Sequence, residues 1–286
     1  MIQQQFTNNL GTLEGPLLVF GGIYSNLQAL EALRMEAEHL QIPPTNIICT
    51  GDLVAYCADP EACINFVREW GIYCIAGNVE LQLIDDAEDC GCNFESSTRC
   101  DIFSRTWYPY AKSQLSANSL TWLAQLPQFL RFCYAGKEGL VLHGSYEATA
   151  QFIFKSTPWA IKEKQFQLAN VDLILAGHSG LPFIENRGQQ QWINAGVIGM
   201  PANDASTKVW YLTLPATDQK LHPTFHSLAY DFETAATRME EAKLPLAYAH
   251  TLRTGLWDNC DILPAIETQQ QGCPLVLSPA VALQKA

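Results

Sequence analysis

Asp52, Asn78, His143 and His178 are the four side chains in this chain whose types and placing suggest chemistry. Each lies beside a glycine, in Gly51-Asp52, Gly77-Asn78, His143-Gly144 and Gly177-His178, and each closes a short apolar run. An aspartate, an asparagine and two histidines form a mixed nitrogen and oxygen donor set suited to manganese, iron or zinc. Taken singly they are weak signals. A histidine in an apolar stretch is more often a hydrogen-bonded structural residue, and a Gly-Asp pair is more often a turn. Four of them in order, all following apolar strands, form a constellation.

Cysteine chemistry is the competing reading. The ten cysteines show no compact framework, and Cys49, Cys63 and Cys74 sit in apolar settings that predict buried thiols. Cys90-Gly91-Cys92 with Cys100 is the one cluster, and no second paired motif completes a zinc site around it. Cys57, in the loop after Asp52, reads as a bystander thiol. His222 and His226 flank Pro223 at a spacing that is not helical there, and both read as surface residues.

Alternating elements must position the four candidates. Leu17 to Phe20 is an apolar run ending in Gly21-Gly22, a buried strand closing on a tight turn. Ser25 is placed to cap a helix whose one face carries Leu27, Leu30, Leu33, Ala37 and Leu40. Asn46 to Cys49 is a second strand, Pro60 opens a second helix, and Ile72 to Ala76 is a third strand. Strands and helices alternating at this spacing predict parallel βαβ units, with ligand residues at the carboxyl ends of the strands. Residues 80–126 are aromatic with helical spacing and are expected to cover the sheet. Strands are then predicted at 128–134, 139–142, 171–175, 190–194 and 209–214, with turns at 135–139 and 186–188. Asp231 caps a helix through Ala242, and Pro245 opens another toward Gly255.

Composition narrows the class. The chain has 286 residues, enough for one large domain, with 48% hydrophobic and 16% charged residues. Its net charge of -12 and scattered basic residues argue against nonspecific nucleic-acid binding. No export signal and no membrane-length apolar run are evident, so a cytoplasmic location away from membranes is expected. Residues 1–256 are expected to form the domain and 257–286 a tail without legible chemistry.

From about Leu17 to Gly255 the chain resembles the bacterial branch of the calcineurin-like metallophosphoesterases. The family's Asp-x-His-Ser/Gly-Asn motif aligns with Gly22-Ile23-Tyr24-Ser25-Asn26, its Gly-Asp with Gly51-Asp52, and its Gly-Asn-His/Cys-Asp/Glu with Gly77-Asn78-Val79-Glu80. Its His-Gly is His143-Gly144, its Gly-His-Thr/Ser-His is Gly177-His178-Ser179-Gly180, and a later segment matches Asn194 to Pro201. The resemblance implies an α/β fold of four layers: two mixed sheets face each other and helices flank them, α-β-β-α.

It also implies a binuclear metal centre, and here the departures matter. One metal of the family is held by positions occupied here by Gly22, Tyr24, Asp52 and Gly180, so Gly22 and Gly180 are vacated ligand positions. The other is held by positions that remain as Asp52, Asn78, His143 and His178. The resemblance thus predicts one divalent cation, manganese, iron or zinc, and no second site. Loss of one Lewis acid should leave less hydroxide near neutrality and less compensation of phosphoryl charge, and Val79 replaces a histidine that assists the leaving group in some branches. The expected function is a degenerate metallophosphoesterase with impaired or absent hydrolysis. The alternatives are a slow or narrow one-metal phosphoesterase and a non-catalytic interaction or regulatory protein. A small phosphoester or phosphate-like anion is the expected partner. Tyr24, Asn26 and Glu80 are candidate phosphate or pocket contacts, with Tyr24 otherwise filling the vacated site and Glu80 otherwise favouring the N-terminus of the next helix.

Overall fold

Leu17–Phe20 is a four-residue strand buried on both sides. Its side chains alternate: Leu17 and Val19 enter one apolar cluster while Leu18 and Phe20 enter another. That period of two is what a strand between two layers requires. The first cluster also holds Leu130, Phe132, Val141, Leu173, Leu175 and Ile193, which come from a different sheet, so it is the core between the sheets. The second is filled by the helices Leu27–His39 and Pro60–Trp70.

The computed structural model describes residues 6–92, 97–217 and 220–277. Residues 278–286 of the expected tail lie outside the described residues. A five-stranded sheet runs Thr224–Leu228, Val209–Leu214, Leu17–Phe20, Ile47–Cys49, Tyr73–Cys74. Its last three strands are parallel, as the βαβ reading requires, and Val209–Leu214 joins them antiparallel. A six-stranded mixed sheet runs Thr7–Thr12, Phe129–Tyr134, Lys137–Val141, Leu173–Ala176, Gln190–Asn194, Phe183–Arg187. The helix Trp159–Ala169 covers its far face through Phe166, against Leu140, Ile174 and Trp192. The α/β sandwich of two mixed sheets between helices is the observed architecture.

Several local expectations shift. Asn26, not Ser25, caps the first helix, its side chain accepting from Ala29 N at 3.1 Å. Tyr24 and Ser25 both take left-handed backbone angles, which delays helix entry by one residue, and Ser25 Oγ instead accepts from Ala55 N. The turn expected at 186–188 moves on by one, because Arg187 still pairs with Gln190 across the hairpin. The aromatic middle forms Asn78–Ile84, Arg99–Gln114 and Ala117–Leu123, with Trp107 and Tyr108 buried. His226 is half-buried, stacked on Tyr211 at 4.9 Å and bonded to Thr213 Oγ1 at 2.8 Å, so it is not a surface residue; His222 is exposed.

Candidate metal centre

The four candidate residues come from both sheets and meet at one edge. Asp52 follows the strand Ile47–Cys49, Asn78 opens the helix after Tyr73–Cys74, His143 follows Lys137–Val141, and His178 follows Leu173–Ala176. All four are buried. Asp52 and His178 hold φ angles of 57° and 60°, an uncommon conformation for residues with side chains that concentrates at functional sites. Gly77 allows the approach: a Cβ there would lie 2.2 Å from Asp52 Oδ1.

His143 is the hub. Its Nδ1 lies 2.7 Å from the Thr50 carbonyl, which can only accept, so Nδ1 carries a proton. Its Nε2 then faces Asp52 Oδ2 at 3.1 Å, Asn78 Oδ1 at 3.2 Å and His178 Nδ1 at 3.2 Å. Asn78 is turned this way because its Nδ2 donates to Cys90 O at 2.9 Å and Cys92 Sγ at 3.2 Å. Several lone pairs converge on one point, and one proton could satisfy only one pair of them. Asp52 Oδ1 and His178 Nε2 are in addition buried without a hydrogen-bond partner. Donors each about 2.1 Å from a common ion lie about 3.0–3.4 Å apart, so these spacings fit a shared divalent cation. The ligand atoms of Asp52, His143 and His178 all fall within 4.8 Å of one another.

The electrostatics reflect that crowding. Burial opposes ionisation of Asp52, but the adjacent His143 and His178 hold its carboxyl below the usual range. Burial likewise opposes protonation of His143, and the Asp52 carboxylate more than offsets it, raising that ring. Burial and the neighbouring His143 push His178 down to about 3. Burial and then Asp52 lift Glu80 to about 7, against the pull of the backbone N–H groups of Val54 and Gly77.

A pocket opens onto the cluster, enclosing ≈ 720 Å³ out to its mouth. Tyr24, Tyr56, Phe152, Tyr248 and Trp257 supply its rings, with Asp52 and His178 at the base. Phe152 stacks on His178 at 4.2 Å between centroids. Tyr24 lies over Gly22, filling the first vacated position, and the Trp257 indole faces Gly180, the second, at 3.5 Å from a Cβ built there.

Asn26 and Glu80 are not pocket contacts. Asn26 caps its helix and donates to Gly199 O at 3.1 Å. Glu80 is fully buried and accepts from Asp52 N, Val54 N and Gly77 N at 2.8–3.1 Å, tying two ligand loops together. Cys57 is buried with its Sγ on Gly199 O, away from the lining. Cys90 and Cys92 orient Asn78, a role their Cys-Gly-Cys spacing alone does not signal. Phe152 and Trp257 carry no motif that could have announced them. Trp257, Asp258, Asn259 and Ile262 bring the start of the expected tail into the pocket wall.

Two facing mixed sheets with a histidine–carboxylate cluster at their common edge define a metallophosphoesterase-type protein. The chain belongs to the calcineurin-like phosphoesterase superfamily, whose domain model matches residues 23–217. It is similar to the metallophosphoesterase from Sphaerobacter thermophilus, at 24% identity and a TM-score of 0.65, over 85% of this chain and 100% of that one. It is also similar to hypothetical protein PH1004 from Pyrococcus horikoshii OT3, at 19% identity and a TM-score of 0.70, over 85% and 99% of the two chains. Uncharacterized protein MJ0912 of Methanocaldococcus jannaschii is 23% identical over 246 residues, 80% of this chain and 93% of that protein. At these identities the likeness speaks for the fold. Among the described residues no helix is long and apolar enough to cross a membrane.

Proposed function

We propose that this protein binds one divalent cation through Asp52, Asn78, His143 and His178 and receives a phosphoester there, with hydrolysis impaired or absent. The supporting observation is the pairing of a convergent four-residue donor set with a filled neighbouring site, where the ring of Tyr24 lies over Gly22.

A bound cation would supply Lewis-acid polarisation of a phosphoryl oxygen. The chain's own groups do the rest. Asp52 supplies the negative charge of the donor set, and Asn78 and the two histidines supply neutral donors. Tyr24 keeps its phenol protonated, because burial and then Asp52 raise it well above the ordinary range, so it can donate a hydrogen bond but cannot act as a base. Burial also holds Cys92 protonated and pushes Cys100 up to about 12. Val79 occupies the position where the resembling family carries a histidine. The pocket therefore offers no group that titrates near neutrality to protonate a leaving alkoxide, which supports binding over fast turnover.

The second reading is a slow one-metal phosphoesterase, favoured by the completeness of the donor set. Metal analysis of purified protein alongside a manganese-supplemented phosphodiester assay separates the two. One equivalent of metal without turnover supports the binding reading. Turnover abolished by His143→Ala supports the slow esterase. No metal uptake under excess manganese rejects both.

A further inference from the structure

The pocket wall beyond the four donors is aromatic and apolar. Tyr24, Tyr56, Phe152, Tyr248 and Trp257 line it, and among the described residues no Lys or Arg does. Phosphate-binding sites ordinarily compensate charge with guanidinium, ammonium or backbone N–H groups. Here the nearest cationic side chain to the lining is Arg99, which is already engaged with Asp258, one of the lining carboxylates, through both Nε and Nη2.

We infer that the ligand of this site is a phosphodiester monoanion carrying a flat aromatic or apolar group, in preference to a phosphomonoester dianion or a polyphosphate. The inference rests on the single-cation reading above. A divalent cation beside Asp52, the one ionised side chain of the donor set, carries one net positive charge, which a monoanion neutralises and a dianion exceeds. The excess charge of a dianion would be held in a low-dielectric wall without a counter-charge, where it is costly. The rings take the place of the second cation and favour an organic substituent by area and by stacking. Trp257 is the specificity-determining side chain: its Nε1 is anchored to Pro201 O at 2.8 Å, so the indole is held rigidly beside Gly180.

Calorimetric titration of manganese-loaded and metal-free protein with three phosphonates tests this, reading affinity and not turnover. Monomethyl phenylphosphonate has a ring and one charge. Phenylphosphonate has the ring and, at about pH 8.5, two charges. Monomethyl methylphosphonate has one charge and no ring. The expected result is that the first binds at least about tenfold more tightly than either of the others to loaded protein. Trp257→Leu should reduce the advantage of the ring to less than about threefold, with manganese uptake unchanged. If phenylphosphonate or the ringless monoanion binds as tightly as the first, the inference is overturned, and wild-type protein alone decides this should Trp257→Leu fail to fold. Manganese uptake is measured beforehand: its absence rejects the metal site, whereas uptake followed by the wrong ligand order rejects only the specificity.

Discussion

The ring of Tyr24 rests against the Cα of Gly22: a Cβ at position 22 would lie 2.3 Å from Tyr24 Cε1 and 2.5 Å from Cζ. Two departures from the family's first motif are thus one structural event, since the ring needs the missing side chain and fills the space it leaves. Gly22→Asp alone should overpack this buried site and cost about 1–3 kcal/mol, read as a lowered denaturant midpoint. Adding Tyr24→His should restore most of that loss. If Gly22→Asp is as stable as wild type, the ring is mobile and the site is not filled in the sense argued here.

The same geometry predicts the outcome of rebuilding the missing ligands. Gly22→Asp, Tyr24→His and Gly180→His together should raise manganese stoichiometry from one to two per chain by metal analysis. Position 180 has only the Trp257 indole nearby, at 3.5 Å, but its φ of 75° makes a histidine there strained by about 1 kcal/mol. His178, two residues earlier, already tolerates φ 60°. A triple variant that folds and still takes up one equivalent would show that the groups behind the ligands have drifted as well.

Cys92 should matter to the metal although it is not assigned as a ligand. Its sulfur, with the Cys90 carbonyl, receives the two N–H groups of Asn78 and so aims Asn78 Oδ1 at His143. Cys92→Ala removes one of those partners and should weaken manganese binding about tenfold in a competition titration. Cys63→Ala, a buried thiol on the helix Pro60–Trp70, should leave affinity unchanged and controls for general loosening. Equal affinities in all three proteins would deny Cys92 any positioning role.

Much of this arrangement is legible in the chain, and the parts that are not share a cause. Leu17–Phe20 and Ile47–Cys49 are apolar runs bounded by glycine, proline or polar residues, so local pattern suffices to find them. Thr7–Thr12 is an exposed strand whose residues, Thr-Asn-Asn-Leu-Gly-Thr, show no apolar alternation, and only pairing with Phe129–Tyr134 makes it a strand. The four donors are announced by strand-end glycines. Phe152, Tyr248 and Trp257 reach the same pocket from loops and a late helix, through contacts between residues distant in sequence that no local pattern encodes.

The pocket wall formed by Trp257 to Ile262 should loosen in acid. Arg99 grips Asp258 through two hydrogen bonds, and its own N–H donates to Asp261 at 2.9 Å. The guanidinium holds the Asp258 carboxyl below its usual range. A lowered folded value means the unfolded or detached segment binds more protons, so the contribution is complete above the ordinary aspartate range of about 4 and fades below it. Asp258→Asn should therefore make the segment more susceptible to limited proteolysis at neutral pH, and the difference from wild type should shrink as pH falls below about 4. A difference independent of pH would assign the effect to packing alone.

Glu80 gives the sharpest separation between architecture and chemistry. Its carboxylate accepts from Asp52 N at 2.9 Å, Gly77 N at 2.8 Å and Val54 N at 3.1 Å, joining the loops that carry Asp52 and Asn78. Every group it faces is a donor. Glu80→Gln would turn an amide N–H₂ toward at least one of them, leaving buried donors unsatisfied at a cost of about 2–3 kcal/mol by urea unfolding. Because the two loops would then separate, manganese affinity should fall along with stability. Glu80→Ala should be at least as costly, since it leaves all three N–H groups without their acceptor. If instead Glu80→Gln keeps full stability and loses only phosphoester turnover, Glu80 acts in the reaction as an acid or base, and its assignment as the tie between the two loops is wrong.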